Sequence, residues 1–269
     1  TQNWVDKYET KWGEPLNTEA DRAAAAAAGH YNEQDLFSNR DPRLAMDVMY
    51  NQSPATGWSG GKAQIYTEQV SGKTNYSELL NQSYLGITKT GYYLRKTNWN
   101  NSTKNRVSSI FTDPLCRLAE VYLNYAECSN EAYGPTTKGV PGSTLSAVEA
   151  VNIVRARVDM PEVLPAYTAS KETFRERIKN ERNIELSFEG HYYHDLNRWM
   201  DRQAAMSSTL YGIVPEKVAV SPEFPKGFKH VRAPLSADRQ PVWKPQMYYL
   251  PFNNSDALKM SNFVANPVW

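Results

Sequence analysis

Three successive segments between Pro114 and Glu189 place apolar side chains at three- and four-residue steps, each bracketed by residues that start or stop a helix. In Pro114–Gly134 the stripe is Leu118, Val121, Tyr122, Tyr125, Cys128 and Ala132, with Pro114 suited to a first turn and Gly134 followed by Pro135 as a stop. Ser143–Val158 continues with Ala147, Val151 and Val154, and Ser170–Glu189 with Phe174, Ile178, Ile184 and Phe188. Amphipathic helices in sequence must bury these stripes against one another, so the spacing predicts a helical block over residues 114–200. Ala147, Val151 and Val154 match the small/large/small order of the second helix in a tetratricopeptide-type pair, although Tyr133–Ser143 is a longer insertion than that repeat carries.

The third helix poses a charge problem. Glu181, Glu185 and Glu189 fall at i, i+4 and i+8, and like charges at this spacing repel by a few tenths of a kcal/mol per pair, about what an i,i+4 ion pair gains. Arg155, Arg157, Arg182 and Arg198 are available to intervene, so the pattern predicts a structural carboxylate–guanidinium network built on the bidentate fork of arginine. The stretch NIELSFEGHYYHDLNRW (Asn183–Trp199) also carries His191 and His194 among Glu185, Glu189 and Asp195. A zinc-binding helix spaces two histidines four apart, whereas these are three apart, and only His30 and His230 remain as further imidazoles. No nucleophile or oxyanion motif accompanies the carboxylates, so the stretch reads as scaffold, and neither a catalytic nor a metal site is expected.

The flanking regions differ in texture. Residues 1–113 read as a loop-rich region with short strands and one alanine-rich helix, Thr18–Gly29, opened by the Thr18/Asp21 capping pair and closed by Gly29. Short β-like runs are expected at Leu44–Tyr50, Ala63–Val70 and Tyr92–Lys96, between long polar loops bearing single aromatics. Residues 201–269 lose periodicity, and Pro222, Pro225, Pro234, Pro241, Pro245, Pro251 and Pro267 predict an extended tail wrapping over the helices. Among 269 residues the net charge is +1 with no basic stripe, which argues against nucleic acid as a partner. No run of about 18 apolar residues is present, and nothing at Thr1 marks a natural start, so the chain reads as a mature or trimmed product. Cys116 and Cys128, placed in one helix, would lie about 18 Å apart, too far for a disulfide.

Three motifs in order, RLAEVYLNYAECSNEAYG (Arg117–Gly134), AVEAVNIVRARVDMP (Ala147–Pro161) and FRERIKNERNIELSFEGHYYHDLNRW (Phe174–Trp199), resemble the C-terminal half of SusD/RagB-like proteins, the surface nutrient-binding lipoproteins of Bacteroidetes. RDPRL (Arg40–Leu44), GYYLRK (Gly91–Lys96) and the closing YYLPFNNSDALKMSNFVANPVW agree, so the resemblance runs from about Arg40 to Trp269. It implies a mainly α fold, a SusD-like α-α superhelix of tetratricopeptide-type helix pairs with an irregular loop-rich region of short β-strands. It also implies that the family's N-terminal part, with its signal peptide, lipidated cysteine and earlier helices, is absent while the C-terminus is present. The family usually reads close to FEGHRYFDLRRW, so Tyr192 stands where arginine is common, and His194, where an aromatic is common, looks like a packing ring.

By resemblance, the expected activity is non-enzymatic capture of oligosaccharide, or of peptide in RagB-type members, at the outer face of the outer membrane. Delivery to a SusC-like TonB-dependent transporter follows, with no cofactor. Sugars stack on aromatic rings while amides take their hydroxyls, and Trp99 flanked by Asn98, Asn100 and Asn101 supplies both in one loop. Trp58, beside Gly57, Gly60 and Gly61, is the second candidate, with Tyr66 and Tyr76 in neighbouring loops. Two rivals are a tetratricopeptide scaffold that binds only a protein partner, and a metal-dependent hydrolase at His191 and His194.

Overall fold

A computed structural model describes residues 1–54, 67, 88–96, 114–138, 142–249, 252–259 and 261–263. In chain order come α1 (Gln2–Val5), α2 (Glu19–Ala27), α3 (Pro42–Asp47), β1 (Val48–Met49), β2 (Tyr93–Leu94), α4 (Leu118–Tyr133), α5 (Ala147–Ala156) and α6 (Lys171–Glu185). After them follow α7 (His191–Arg198), α8 (Arg202–Ser207), β3 (Tyr211–Lys217), β4 (Phe228–Pro234) and the short α9 (Asn254–Ala257). The fold is mainly helical, with two small antiparallel sheets among the described residues, β1 with β2 and β3 with β4. No described helix is long and apolar enough to cross a membrane.

Several helix starts follow the local chemistry of the sequence. Thr18 and Asp21 form the capping box of α2, and Ser146 with Glu149 forms that of α5. Ser170 opens α6 by accepting the Thr173 N–H. Helix α2 buries Ala25 alone, so most of its alanine run faces solvent.

Two apolar cores organise these elements. One gathers Leu123 and Ala126 of α4, Ala147, Ala150, Val151 and Val154 of α5, and Phe174 and Ile178 of α6. The other gathers Val5, Tyr8, Leu16, Leu36, Leu44, Tyr92 and Ile213 around Ile184. Helix α6 contributes to both, since Ile178 and Ile184 lie six residues, or about 9 Å, apart along its axis. The N-terminal segment is therefore core material. Its backbone is tied to the chain before α3 by Asp41 N–H to the Glu9 carbonyl (2.9 Å) and Lys11 N–H to the Asn39 carbonyl (2.8 Å). Arg40 adds donations to the Val5, Tyr8 and Leu36 carbonyls, each at 2.7 Å.

The structure corrects five expectations. Leu44–Asp47 is helical, because Asp41 caps the Arg43 N–H and Pro42 presets the first turn; only Val48–Met49 is strand. Helix α4 starts at Leu118, which leaves Pro114 and Cys116 outside it, and both cysteines are exposed and free. Its buried face is Leu123, Ala126, Ser129 and Asn130, whereas Leu118 and Val121 are 67% and 51% exposed. Small Ala126 lets α4 sit against Ala147 and Ala150 of α5; of the expected stripe, Tyr122 and Tyr125 pack partly buried against this core, while Leu118 and Val121 face outward. Helix α6 stops at Glu185, and Phe188, in the left-handed region (φ 61°), is 45% exposed rather than part of its stripe.

The fifth correction concerns the tail. Residues 201–249 contain α8 and a hairpin of two seven-residue strands, β3 and β4, paired from Tyr211↔Pro234 to Lys217↔Phe228. Ile213 and Phe228 are buried, and the hairpin abuts both α1 and the turn before β2. The close approach falls at Gly91 (φ 85°), where an added Cβ would meet the Ile213 carbonyl oxygen at 2.2 Å. Gly91→Ala is therefore expected to lower unfolding stability by about 2 kcal/mol or more, read by denaturant titration. Unchanged stability would contradict this packing of the hairpin.

Candidate functional site

The carboxylate ladder of α6 lies between the two cores. Glu181 and Glu185 side chains are 2% and 1% exposed. Arg43 of α3 reaches both, with Nη1 on Glu181 Oε1 and 3.0 Å from Glu185 Oε2, while its Nη2 donates to Asp41 Oδ2 at 2.7 Å. From α5, Arg155 donates Nη1 to Glu181 Oε2 (3.0 Å) and holds Nη2 2.8 Å from Glu9 Oε2. Arg157 donates to both oxygens of Glu185 (2.7 and 2.9 Å). Arg117 reaches Glu185 and Glu189, and Lys96 lies 2.8 Å from Glu189 Oε1. Burial alone would raise the Glu185 pKa, but the Arg117 hydrogen bond and the Arg43 and Arg117 charges outweigh it and hold the carboxyl at about 2. For Glu9, burial wins over Arg155, and its pKa is raised.

The network foreseen from the sequence is present, with Arg155 and Arg157 as expected and Arg43 and Arg117 as members the helical spacing could not supply. Arg182 and Arg198 instead grip Asp195: Arg182 Nε at 3.0 Å from Oδ2 and Arg198 Nε at 2.8 Å from Oδ1. Trp199 donates Nε1 to Glu127 at 2.8 Å, beside the Arg198 contact to the same carboxylate, which fastens α7 to α4. His191 lies 3.8 Å from Glu120. His194 is exposed, edge-on to Tyr193, so it is no packing ring. Its place on α7 points it away from the buried Asp195–Leu196 face. Among the described residues, no group of three or more His, Cys, Asp or Glu side chains could hold a metal.

The ligand-contact candidates Trp58, Tyr66, Tyr76, Asn98, Trp99, Asn100 and Asn101 lie outside the described residues. What the described residues do form is a cleft of about 710 Å³ between the N-terminal segment, α7, α8 and the hairpin. Its walls include Trp4, Lys7, Tyr192, Leu196, Tyr211 and Arg232. Trp4 and Tyr192 meet edge to face at 4.8 Å, and Trp4 is fixed by Nε1 donation to Ser187 Oγ (3.1 Å). The rings thus stand on the turn that the α6 network anchors. Arg232 pairs with Asp6 (2.8 Å), and Asn3 links cleft to hairpin by accepting the Tyr211 N–H at 2.8 Å. The cleft continues into two shallower depressions, one past Asn183 and Trp199, the other past Gln240 and Trp243. Sequence reasoning missed this cleft because its residues are far apart in the chain, from Trp4 to Arg232.

A family model described as the SusD family matches residues 1–269. A SusD-like protein P25 from Formosa agariphila is 31% identical over 156 residues, 55% of this chain and 28% of that protein. A solved SusD-like protein from Bacteroides fragilis superposes with a TM-score of 0.69 at 22% identity, over 100% of this chain and 46% of the other. A SusD-like carbohydrate-binding protein from the same species gives a TM-score of 0.60 at 25% identity, over 95% of this chain and 46% of that one. The chain thus spans less than half the length of these relatives.

The Glu185 pKa carries a pH signature. It falls from the ordinary 4.5 to about 2 on folding, so the stability it contributes is complete above about pH 4.5 and is lost as pH falls toward 2. Glu185→Gln is expected to cost about 3 kcal/mol at pH 7, by leaving buried guanidinium charge uncompensated, and to flatten the acid limb of stability between pH 4.5 and 2.5. Denaturant midpoints across that range test this, and a variant with the wild-type acid limb would remove Glu185 from the account.

Proposed function

The chain belongs to the SusD family, and on that premise we propose that it is a non-catalytic, cell-surface glycan-binding protein. In this reading it captures oligosaccharide at the outer membrane, as part of a lipid-anchored protein, and passes it to a SusC-like TonB-dependent transporter. The observation that carries the reading is the family match along the whole chain, joined to the structural likeness to a SusD-like carbohydrate-binding protein.

The cleft supports it physically. A volume of about 710 Å³ lies within the roughly 300–1,000 Å³ of small-ligand sites. Trp4, Tyr192 and Tyr211 offer flat faces for the C–H side of a sugar ring, and Asn3, Asn17 and Ser208 stand among the groups that could exchange hydrogen bonds with hydroxyls. The depressions on either side suit a ligand of several units rather than one. The buried carboxylates have guanidinium partners, so the histidine stretch keeps its scaffold role in this proposal. Trp58 and Trp99, with Asn98, Asn100 and Asn101, are proposed as further contacts on loop composition alone.

Tryptophan-fluorescence titration against a panel of soluble glycans and short peptides tests the proposal. Saturable quenching by a glycan is expected, with Tyr192→Ala weakening it by about tenfold, the worth of one ring contact. Loss on Trp58→Ala and Trp99→Ala with no effect of Tyr192→Ala would move the site to the loops. Response to peptides alone would replace glycan with peptide as the cargo, and silence across the panel would overturn the capture reading.

A further inference from the structure

Lys7 stands apart from the other charges of the cleft. Among the described residues its ammonium has no ion pair and no side-chain hydrogen bond; it lies 5.9 Å from the Trp4 ring and 5.9 Å from the Tyr192 ring. Its neighbours are otherwise committed. Asp6 is bound by Arg232 (2.8 Å) and lies 3.7 Å from Arg22, while Asp201 and Glu176 both pair with Lys179, at 2.7 and 3.1 Å. Glu19 sits on an exposed position of α2 at the rim.

The backbone of Lys7 is fixed. Its N–H donates to the Trp4 carbonyl at 3.1 Å, and its carbonyl accepts from Asn180 Nδ2 at 2.9 Å, which holds the side chain in the wall shared by the main cleft and the depression beside Trp199. In the depression beside Trp199, Asn183 is 8% exposed, and among the described residues its side-chain oxygen has no hydrogen-bond partner. Burial, with Arg177 beside it, pushes the Lys7 pKa down, so an anion brought to the site would gain a charge-assisted bond and hold the lysine protonated.

Resting on the glycan-capture reading, we propose that the cleft holds an anionic sugar unit, uronate or sulfated, with Lys7 binding its charge and the Trp4 and Tyr192 rings flanking it. A lysine suits this role because its compact ammonium meets carboxylate and sulfate alike without a fixed fork geometry. The rings supply apolar contact that a free inorganic anion cannot use, so selectivity requires sugar and charge together.

Calorimetric titration of the full chain tests this with two probe pairs: trigalacturonate against its fully methyl-esterified form, and neocarratetraose sulfate against the same oligosaccharide desulfated. In low salt the charged member of at least one pair is expected to bind about tenfold tighter than its neutral partner, with the advantage shrinking as salt is added. The pair showing it identifies the anion. Lys7→Met is expected to erase the preference while leaving neutral binding, and Lys7→Arg, verified as folded by circular dichroism, to retain most of it. Equal binding of both members of each pair, or a preference that survives Lys7→Met, overturns the proposal. If neutral glycans of the fluorescence panel bind without any charge preference, this proposal fails alone; if no glycan binds at all, the capture reading fails with it.

Discussion

Two arginines from different parts of the chain, Arg43 and Arg155, converge on Glu181 between two apolar cores, and the arrangement of the helices follows from that meeting. Glu181 and Glu185 are almost fully enclosed, and removing a guanidinium partner would leave a polar group buried without compensation. The partners come from α3, from α5 and the residue that closes it, and from the residue before α4, which ties three separate chain segments to one face of α6. Hydrophobic burial on either side supplies most of the driving force, through Phe174 and Ile178 in one core and Ile184 in the other. It is non-directional, whereas the ion pairs fix which segment meets which.

That anchoring reaches the surface. The turn after α6 presents Ser187, which accepts from Trp4 and lies 3.2 Å from the Tyr8 hydroxyl, and Tyr8 donates its proton to Asp47 at 2.7 Å. Burial raises the Asp47 pKa to about 6, the opposite of Glu185, because Lys96 stands 3.8 Å away rather than in direct contact. Tyr192, in the first turn of α7, then closes on Trp4. Trp4 is thus held by a hydrogen bond to a turn whose other end is locked by salt bridges, and Tyr192 packs on it, an arrangement that limits the side-chain ordering left for a ligand to impose.

Much of this was legible in the sequence where a signal is local. The Thr18 and Ser170 caps, the small residues of α5 and the need of the glutamate ladder for arginines all follow from spacing within a few residues. Which arginines would answer was half legible: Arg155 and Arg157 lie one helix away, but Arg43 meets Glu181 across 138 residues. The face of α4 was legible in part: Tyr122 and Tyr125 pack against the core, but small Ala126 and Ser129 also turn inward while the larger Leu118 and Val121 do not. The β3–β4 hairpin escaped notice because prolines at 215 and 234 sit within the strands and hide their alternation. The cleft has walls from opposite ends of the chain, a property no periodicity encodes.

A crystal structure of the chain grown with a saturating glycan from the titration panel would test the central claim most directly. The account predicts a sugar unit lodged between Lys7 and the Trp4–Tyr192 pair, with the α6 salt bridges unchanged from the free protein. A glycan bound elsewhere with this cleft empty would contradict it.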